Sequence, residues 1–209
     1  MNIVCRQWTE DFEIYDYRIE DILSLIKEAY GERAKEGIFF ETLNYTIHDL
    51  LAERTNADYW FLAFEDDNRL RGTARLTIMG NWGEICNFAV SPSTQGRHVG
   101  SQLLQAANQF AKELNLDYVM SYTAMKATSS VKCHLHNDYR IVRIISYMNK
   151  TYSSYAFRCQ LSPVNYLCYK WMIYSQYFKS YIMYKLKKKS NGQNTLLGKI
   201  ILSIKKREV

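Results

Sequence analysis

The feature of this sequence that most limits its fold is the stretch from Glu84 to Leu114, where apolar residues change from strand periodicity to helix periodicity. Residues 85–90 form a β-rich apolar run, and a Ser-Pro turn and a short polar loop follow it. Apolar residues then recur at helical spacing, at Leu103, Leu104, Ala107, Phe110, Ala111 and Leu114. The first turn of a helix has free backbone N–H groups and the positive end of the helix dipole, so we expect this loop to bind a phosphate or pyrophosphate group.

The loop does not match the common nucleotide-binding patterns, since the chain has no GxxxxGK[ST] sequence and the run does not fit GxGxxG. Strand–loop–helix with two glycines also occurs in ordinary β-α connections. The spacing is more specific: Val90-Ser91-Pro92, followed by QGRHVG at Gln95–Gly100, resembles the acyl-CoA loop of the GCN5-related N-acetyltransferases (GNAT superfamily). That family has the pattern Q/R-x-x-G-x-G/A after a strand ending V-x-P. His98 stands where the family usually has its middle glycine.

The order of predicted elements along residues 1–161 is β-α-α-β-β-β-α-β-α-β-β, which is that of the GNAT fold. The resemblance therefore implies an α+β, three-layer domain over 1–161, with a mixed central sheet flanked by helices. The patterning predicts strands at Asn2–Gln7, Tyr59–Glu65, Arg71–Met79, Glu84–Val90, Tyr118–Thr123, Arg140–Tyr147 and Ser154–Leu161. Besides the helix after the loop, it predicts helices at Tyr17–Tyr30, Phe40–Glu53 and Ser130–Asn137.

The overall composition indicates a globular, intracellular chain. Of its 209 residues, 47% are hydrophobic and 23% charged, enough for one full core. The five cysteines are odd in number, widely spaced and form no CxxC pair, which favours reduced thiols and no metal site. The N-terminus turns acidic where a signal peptide needs an apolar core, and no apolar run reaches eighteen residues. We therefore predict a cytoplasmic protein.

The GNAT resemblance implies acetyl-CoA as co-substrate and assigns its binding residues. Backbone amides of the loop would hold the pyrophosphate, and Arg97 would add a charge. The backbone of Phe88, Ala89 and Val90 would pair with the pantetheine arm in the manner of an added strand. The loop residues assigned to the cofactor are Gln95, Gly96, Arg97, His98, Val99, Gly100 and Ser101.

Transfer of an acetyl group to an amine needs a base and a donor for the leaving thiolate. The segment from Glu84 to Ser91 resembles the histone-modifying branch of the superfamily, in which a glutamate precedes six strand residues and a serine, so Glu84 is the predicted base. Desolvation beside Trp82 and Ile85 would raise its pKa. The alternative is a solvated glutamate at a strand start.

The predicted acid is His134, because SSVKCHLHNDYRIV resembles the family motif S-x-x-x-[YH]-x-x-x-G-[FY]. In that motif a tyrosine commonly lies near the CoA sulfur, and a histidine can donate or accept a proton near neutral pH. Asp138 replaces the family glycine and Tyr139 is the terminal aromatic. Tyr122 is the alternative acid, and His136 is predicted to be a surface residue.

The same resemblance places the first two helices and their connection beside the acceptor. Phe39, Phe40 and Tyr45 would then line the acceptor pocket, unless they are simple core aromatics. Acetyltransferases that resemble this chain, with a similar Tyr- and Lys-rich tail, act in bacterial surface-polysaccharide pathways. A nucleotide- or lipid-linked amino sugar is therefore the first predicted acceptor, and a protein or peptide amine or a polyamine is the alternative. A non-catalytic interaction module also stays open, because His98 and Asp138 occupy family glycine positions.

The C-terminal segment 162–209 is predicted to be a separate basic, aromatic-rich extension. It has ten Lys/Arg residues against Glu208 alone, a net charge of +9, which leaves −3 for residues 1–161. Ser162-Pro163 is typical of a helix start. We expect this helix to lie on an anionic membrane surface, at the inner face of the membrane, through residues 163–189, or alternatively to pack on the body or on a second subunit. No nucleic-acid-binding motif accompanies the basic residues. The apolar face comprises Tyr166, Leu167, Trp171, Tyr174, Phe178, Tyr181 and Ile182.

Overall fold

The computed structural model describes residues 1–8, 19–66, 68–147, 150, 152–164 and 166–189. Within these ranges seven strands form one sheet: β1 (Asn2–Gln7), β2 (Asp58–Phe64), β3 (Leu70–Met79), β4 (Trp82–Val90), β5 (Tyr118–Ala124), β6 (Arg140–Ser146) and β7 (Ser153–Gln160). The helices are α1 (Ile19–Lys35), α2 (Ile47–Ala52), α3 (Val99–Glu113), α4 (Thr128–His136) and α5 (Tyr166–Lys189). The predicted α+β class with a mixed sheet flanked by helices is confirmed.

The strands lie in the order β1-β2-β3-β4-β5-β7-β6. Neighbours are antiparallel except for β4 and β5, which are parallel and are joined by α3. A parallel pair needs a crossover connection, so α3 packs across the sheet on its way to β5. This arrangement brings the loop before α3 to the end of the parallel pair.

The parallel pair opens at one end. The ladder between β4 and β5 runs from Trp82 opposite Tyr118 to Ile85 opposite Ser121, and no described pair extends it. On its other side, β4 has one more residue than β3 between the Arg75–Cys86 and Thr73–Ala89 pairs. This β-bulge bends a strand away from its neighbour, so β4 and β5 diverge just before Phe88.

The sheet separates two apolar layers. On one face α3 packs through Leu103, Leu104, Ala107 and Ala111 against Ala74, Leu76 and Phe157. On the other face α1 packs through Ile22, Leu23 and Ile26 against Trp8, Trp60 and Leu62. These are the helical positions at which the sequence repeats apolar residues, and their burial supplies the main driving force for this layered arrangement.

The last helix packs along β6, which is an edge strand of the sheet. The Oγ atom of Ser180 accepts a hydrogen bond of 2.9 Å from the backbone N–H of Ile144. The predicted apolar face of α5 points away from the body, and its large side chains are exposed: Leu167, Trp171, Tyr174, Phe178, Tyr181 and Ile182. The side chain of Tyr166 and residues 190–209 lie outside the described structure.

Most predicted strands agree with the structure, and β1 has the predicted bounds. The helix predicted at Phe40–Glu53 is wrong, because a 3-10 turn at Glu41–Asn44 and α2 are separate elements. The separation occurs where Thr46 caps α2 in a capping box with Asp49. The first helix, predicted at Tyr17–Tyr30, is longer at its C-terminal end than predicted, since α1 continues to Lys35. Helix α5 begins at Tyr166, a few residues after the predicted start.

Candidate active site

A cavity of about 870 Å³ lies where β4 and β5 diverge. One end is formed by the loop before α3 and by α4, and the other by α1, the 3-10 turn and the segment between β6 and β7. Cavities at the carboxyl ends of diverging parallel strands are common ligand sites in sheet proteins. The size suits an extended ligand with room for a second reactant.

The loop before α3 has the backbone of an anion site. His98 is the N-cap residue of α3 and has φ 62°, and Gly96 has φ 84°. Both are left-handed conformations, which glycine adopts easily and histidine tolerates better than most residues. His98 therefore has a backbone conformation that a glycine at this position would also adopt easily.

The residues predicted to bind the cofactor line this cavity, with one exception. Phe88, Ala89, Val90, Gln95, Gly96, His98, Val99, Gly100 and Ser101 all contribute to its wall. Arg97 does not: its guanidinium is exposed and lies 3.4 Å from the carboxylate of Glu65. The charge predicted for the cavity from Arg97 is thus directed to the outer side of the loop.

Glu84 lines the cavity on β4, two residues after the strand begins. Burial raises the pKa of its carboxyl, while a hydrogen bond from Cys86 and the charge of Arg75 oppose the rise. The Cys86 thiol donates to Oε1 at 3.5 Å, and burial raises the pKa of that thiol to about 12. A carboxylate with a raised pKa at the wall of a cavity is suited to accept a proton near neutral pH.

His134 does not suit the predicted role of acid. Its side chain is fully buried and is not part of the cavity wall. Nδ1 lies 2.8 Å from the carbonyl of Ser130 and Nε2 lies 2.9 Å from Oγ of Ser121, so the ring donates to the carbonyl and accepts from the hydroxyl. Burial lowers the pKa of the imidazole to about 4.

Tyr122, the alternative acid, faces the cavity from β5, and 36% of its surface is exposed. Burial, followed by the negative charge of Glu84, raises the pKa of its hydroxyl. The hydroxyl therefore stays protonated at neutral pH and remains available as a proton donor in the same cavity as Glu84.

The end of the cavity formed by α1 and the 3-10 turn is aromatic, with a half-buried ion pair beside it. Phe40 and Tyr45 line it as predicted, but Phe39 does not, because its ring is 51% exposed outside the cavity. Glu53 accepts hydrogen bonds from the Tyr45 hydroxyl at 2.6 Å and from Nη2 of Arg75 at 2.9 Å. The pair is close to the two tryptophans Trp8 and Trp60, whose ring centroids lie within 6 Å of the guanidinium carbon.

Comparison with known proteins agrees with this geometry. A family model described as "Acetyltransferase (GNAT) family" matches residues 19–138, more than half of the chain. The chain belongs to the GNAT acetyltransferase family. It is accordingly an acyltransferase that uses acetyl-CoA as co-substrate. No curated protein matches the sequence.

Solved structures with the same fold cover most of this GNAT chain at low identity. The ribosomal-protein-S18-alanine N-acetyltransferase from Escherichia coli has 8% identity and a TM-score of 0.61, over 79% of this chain and 97% of its own. A PaiA N-acetyltransferase from Thermoplasma acidophilum, in complex with coenzyme A, has 17% identity and a TM-score of 0.58, over 77% and 99%. A spermidine N-acetyltransferase chimera from Vibrio cholerae and hSSAT has 15% identity and a TM-score of 0.60, over 77% and 96%.

Two further observations concern the described residues of this GNAT protein. They contain no group of three or more side chains that would hold a metal ion. None of their helices is long and apolar enough to cross a membrane.

Sequence reasoning missed two features of the site. The Glu53–Arg75 pair joins residues that are far apart in the chain, and no local pattern marks it. Asn87 lies inside an apolar strand run, and it lines the cavity at the bulge of β4. An asparagine is uncommon within a strand, and that low propensity was the available signal.

Proposed function

We propose that this GNAT enzyme acetylates the primary amine of a nucleotide- or lipid-linked amino sugar in surface-polysaccharide biosynthesis. The observation that carries the reaction is that Glu84 and Tyr122 share one cavity with the loop before α3. Acetyl-CoA would lie with its pyrophosphate on the amides of this loop and its pantetheine arm along Phe88–Val90, where β4 has no strand neighbour on the β5 side.

In the proposed reaction, Glu84 accepts a proton from the acceptor ammonium, directly or through a water. The free amine then attacks the thioester carbonyl carbon, so that a C–N bond forms and the carbonyl oxygen becomes negatively charged. Collapse of this intermediate breaks the C–S bond, and the CoA thiolate takes a proton from the hydroxyl of Tyr122. The nitrogen, which is positively charged after the attack, loses its extra proton and so returns Tyr122 to the neutral form, and Glu84 releases its own proton to solvent. The products are the amide and free CoA.

The charges of the cavity favour an acceptor with a phosphate over a polyamine. Among the described residues that line it, four are cationic (Arg33, Arg75, Lys132 and Lys150) and two are anionic (Glu53 and Glu84). Three of these cations are ion-paired with glutamates: Arg33 with Glu36, Arg75 with Glu53 and Lys150 with Glu41. A phosphate that reaches Lys132, or that replaces Glu41 beside Lys150, would still be attracted, whereas a polycation would be repelled by these groups. The rings of Phe40 and Tyr45 and the carboxylate of Glu53 supply the stacking and hydrogen-bonding groups that a sugar ring uses.

The acceptor class can be tested by following thiol release from acetyl-CoA with four acceptors: a nucleotide-linked amino sugar, the free amino sugar, spermidine and an N-terminal peptide. The proposal predicts the highest kcat/KM for the linked sugar. The Lys150→Gln variant should lower this preference over the free sugar, whereas Lys126→Gln, an exposed lysine outside the cavity wall, should not. Higher kcat/KM for spermidine or the peptide would overturn the assignment of the acceptor.

We also propose that the outer face of α5 binds the anionic inner surface of a membrane. Leu167 and Trp171 are 74% and 75% exposed, and with Tyr174, Phe178 and Ile182 they form an apolar stripe along the helix. Lys170, Lys179 and Lys185 lie on the same helix, which has no acidic residue. Apolar and aromatic side chains combined with lysines suit the headgroup region, where each basic residue contributes about 1 kcal/mol.

Vesicle sedimentation tests this proposal without removing the helix. We expect the double variant Trp171→Ser/Phe178→Ser to lose binding to vesicles containing phosphatidylserine, while Gln176→Ser, at another exposed position of α5, binds as the wild type does. Deletion of residues 163–209 should likewise abolish the part of the sedimentation that depends on vesicles, measured against a control without vesicles. The proposal fails if the double variant sediments with the vesicles as the wild type does.

A further inference from the structure

The two oxygens of the Glu84 carboxylate have different surroundings. Glu84 and Cys86 alternate with Ile85 along β4, so their side chains project from the same face of the sheet. The Cys86 thiol donates to Oε1 of Glu84 at 3.5 Å. Oε2 accepts no hydrogen bond from the described residues and remains accessible, in a side chain that lines the cavity. One oxygen is therefore held by the protein, and the other is available to a ligand.

The thiol of Cys86 is a permanent donor to this carboxylate. Burial raises the pKa of the thiol to about 12, so the sulfur keeps its hydrogen throughout the neutral range. A thiol is a weak donor, but a hydrogen bond to an ionised acceptor is about twice as strong as one to a neutral acceptor. The contact therefore favours the ionised form of Glu84. Burial raises the pKa of the Glu84 carboxyl, and the hydrogen bond from Cys86 opposes that rise.

Three groups on neighbouring elements lie near this pair. Arg75 is directly opposite Cys86 on β3, and its charge also favours the ionised carboxyl of Glu84. Tyr30 approaches from α1 and Tyr122 from β5, and burial raises the pKa of both hydroxyls, so they are neutral at pH 7. Among the described residues, only the Cys86 thiol forms a hydrogen bond with the carboxylate.

We propose that Cys86 is a positioning residue for the base: its thiol holds Oε1 of Glu84, so that the carboxylate is ionised and presents Oε2 to the acceptor. This inference rests on the proposed function, in which Glu84 accepts the proton of the ammonium. Cys86 itself transfers no proton and forms no bond to the substrate. A base that is already ionised and oriented needs neither proton loss nor rotation before it can act, so the amine is deprotonated faster.

Two substitutions of Cys86 separate the donor role from simple packing. Cys86→Ser keeps a donor on a smaller side chain, whereas Cys86→Val fills the space of the thiol and has no donor. If Cys86 only packed within the strand, valine would be the better replacement. If Cys86 positions Glu84, serine should preserve activity that valine loses. Cys5→Val is the matched control, because Cys5 is also a half-buried strand cysteine but does not line the cavity.

The first measurement is the pKa of Glu84 in the free enzyme. It is obtained from the ¹³C NMR titration of protein labelled at the glutamate carboxyls, with Glu84→Gln identifying the resonance. We expect the pKa of Glu84 to be higher in Cys86→Val than in the wild type, because the donor to the ionised form is lost. The value in Cys86→Ser should lie closer to that of the wild type, and the value in Cys5→Val should equal it.

The second measurement is the pH dependence of kcat/KM with an accepted amine. Loss of one hydrogen bond changes an equilibrium by about 2–10-fold, so kcat/KM of Cys86→Val should fall by about this factor. The fall should be largest on the acidic side, because a base with a higher pKa moves the acidic limb of the profile to higher pH. Cys86→Ser should retain most of the wild-type rate, and Cys5→Val all of it.

The two measurements together distinguish the failure of this proposal from that of the proposed function. A Glu84 pKa that is the same in the wild type and in Cys86→Val, or a Cys86→Ser variant that loses as much activity as Cys86→Val, would overturn the role of Cys86. If the pKa of Glu84 rises in Cys86→Val but the pH profile does not move, Glu84 is not the base. In that case the assignment of the base fails, while the control of the Glu84 carboxylate by Cys86 stands.

Discussion

The buried histidine of α4 makes the stability of this protein depend on pH in a way that can be calculated. Burial lowers the pKa of His134 from 6.5 to about 4. An unfolded chain keeps a value near 6.5. As pH falls through 6.5, the unfolded chain gains a proton that the folded protein does not bind until about pH 4. The contribution of His134 to the free energy of unfolding is therefore fully present above pH 6.5 and is lost progressively as pH falls from 6.5 to 4.

The size of the loss follows from the difference between the two pKa values. With about 1.4 kcal/mol for each unit of difference, the free energy of unfolding falls by roughly 3 kcal/mol at full titration and by roughly 2 kcal/mol between pH 7 and pH 5. Because a folded domain has about 5–15 kcal/mol in total, a loss of this size is readily measured.

Urea denaturation followed by circular dichroism at pH 7 and pH 5 measures this loss. In His134→Gln, the amide has one group that can donate to the Ser130 carbonyl and one that can accept from Ser121, but it does not titrate in this range. We expect its loss of stability between pH 7 and pH 5 to be about 2 kcal/mol smaller than that of the wild type. His136→Gln, which replaces an exposed histidine of the same helix, should lose as much as the wild type. Equal losses in all three proteins would refute the reasoning.

Three further substitutions test the cavity. Glu84→Gln should lower kcat and raise the free energy of unfolding at pH 7. The pKa of the Glu84 carboxyl is raised in the folded protein, so its ionisation destabilises the fold as pH rises above 4.5. Turnover measurements test the first effect and urea denaturation tests the second. His98→Val should lower the free energy of unfolding by about 1–2 kcal/mol, because a β-branched residue is strained at a φ of 62°. His98→Gly should leave the melting temperature and acetyl-CoA binding nearly unchanged. Gly100→Ala places a Cβ atom 3.1 Å from Phe88 and 3.2 Å from Cys133, so calorimetry should show weaker acetyl-CoA binding, whereas Gly31→Ala meets no atom within 4 Å and should not change it.

The sequence was sufficient to predict the strand, loop and helix that form one wall of the cavity, because this wall is local in the chain. Strand, turn, loop and helix follow one another from Glu84 to Leu114, and the backbone of Gly96 and His98 decides their geometry. The place of His98 in the motif indicates a glycine-like role, and its φ of 62° in the folded loop agrees with that role.

The catalytic and acceptor sides were harder to predict because they depend on depth and on contacts between distant segments. His134 matched a motif position, but its burial depends on Phe157 and Tyr139, whose rings pack against it from β7 and from the end of α4. Phe39 and Phe40 are adjacent in sequence, but Phe40 lines the cavity whereas Phe39 is exposed on the surface. The break between the 3-10 turn and α2 lies at Thr46, which caps α2 together with Asp49. The apolar spacing across this break predicts one continuous helix, and the cap interrupts it.

The position of α5 along β6 has a consequence for self-association. An edge strand presents unpaired backbone groups that can pair with another chain, and folded proteins usually block them. Here Ser180 takes the outward N–H group of Ile144, and the helix covers the strand. Helix α5 therefore prevents a strand of another chain from pairing with β6, in addition to presenting its exposed apolar face. An enzyme truncated before α5 is expected to aggregate through this edge of the sheet, whereas a point variant of the exposed face is not.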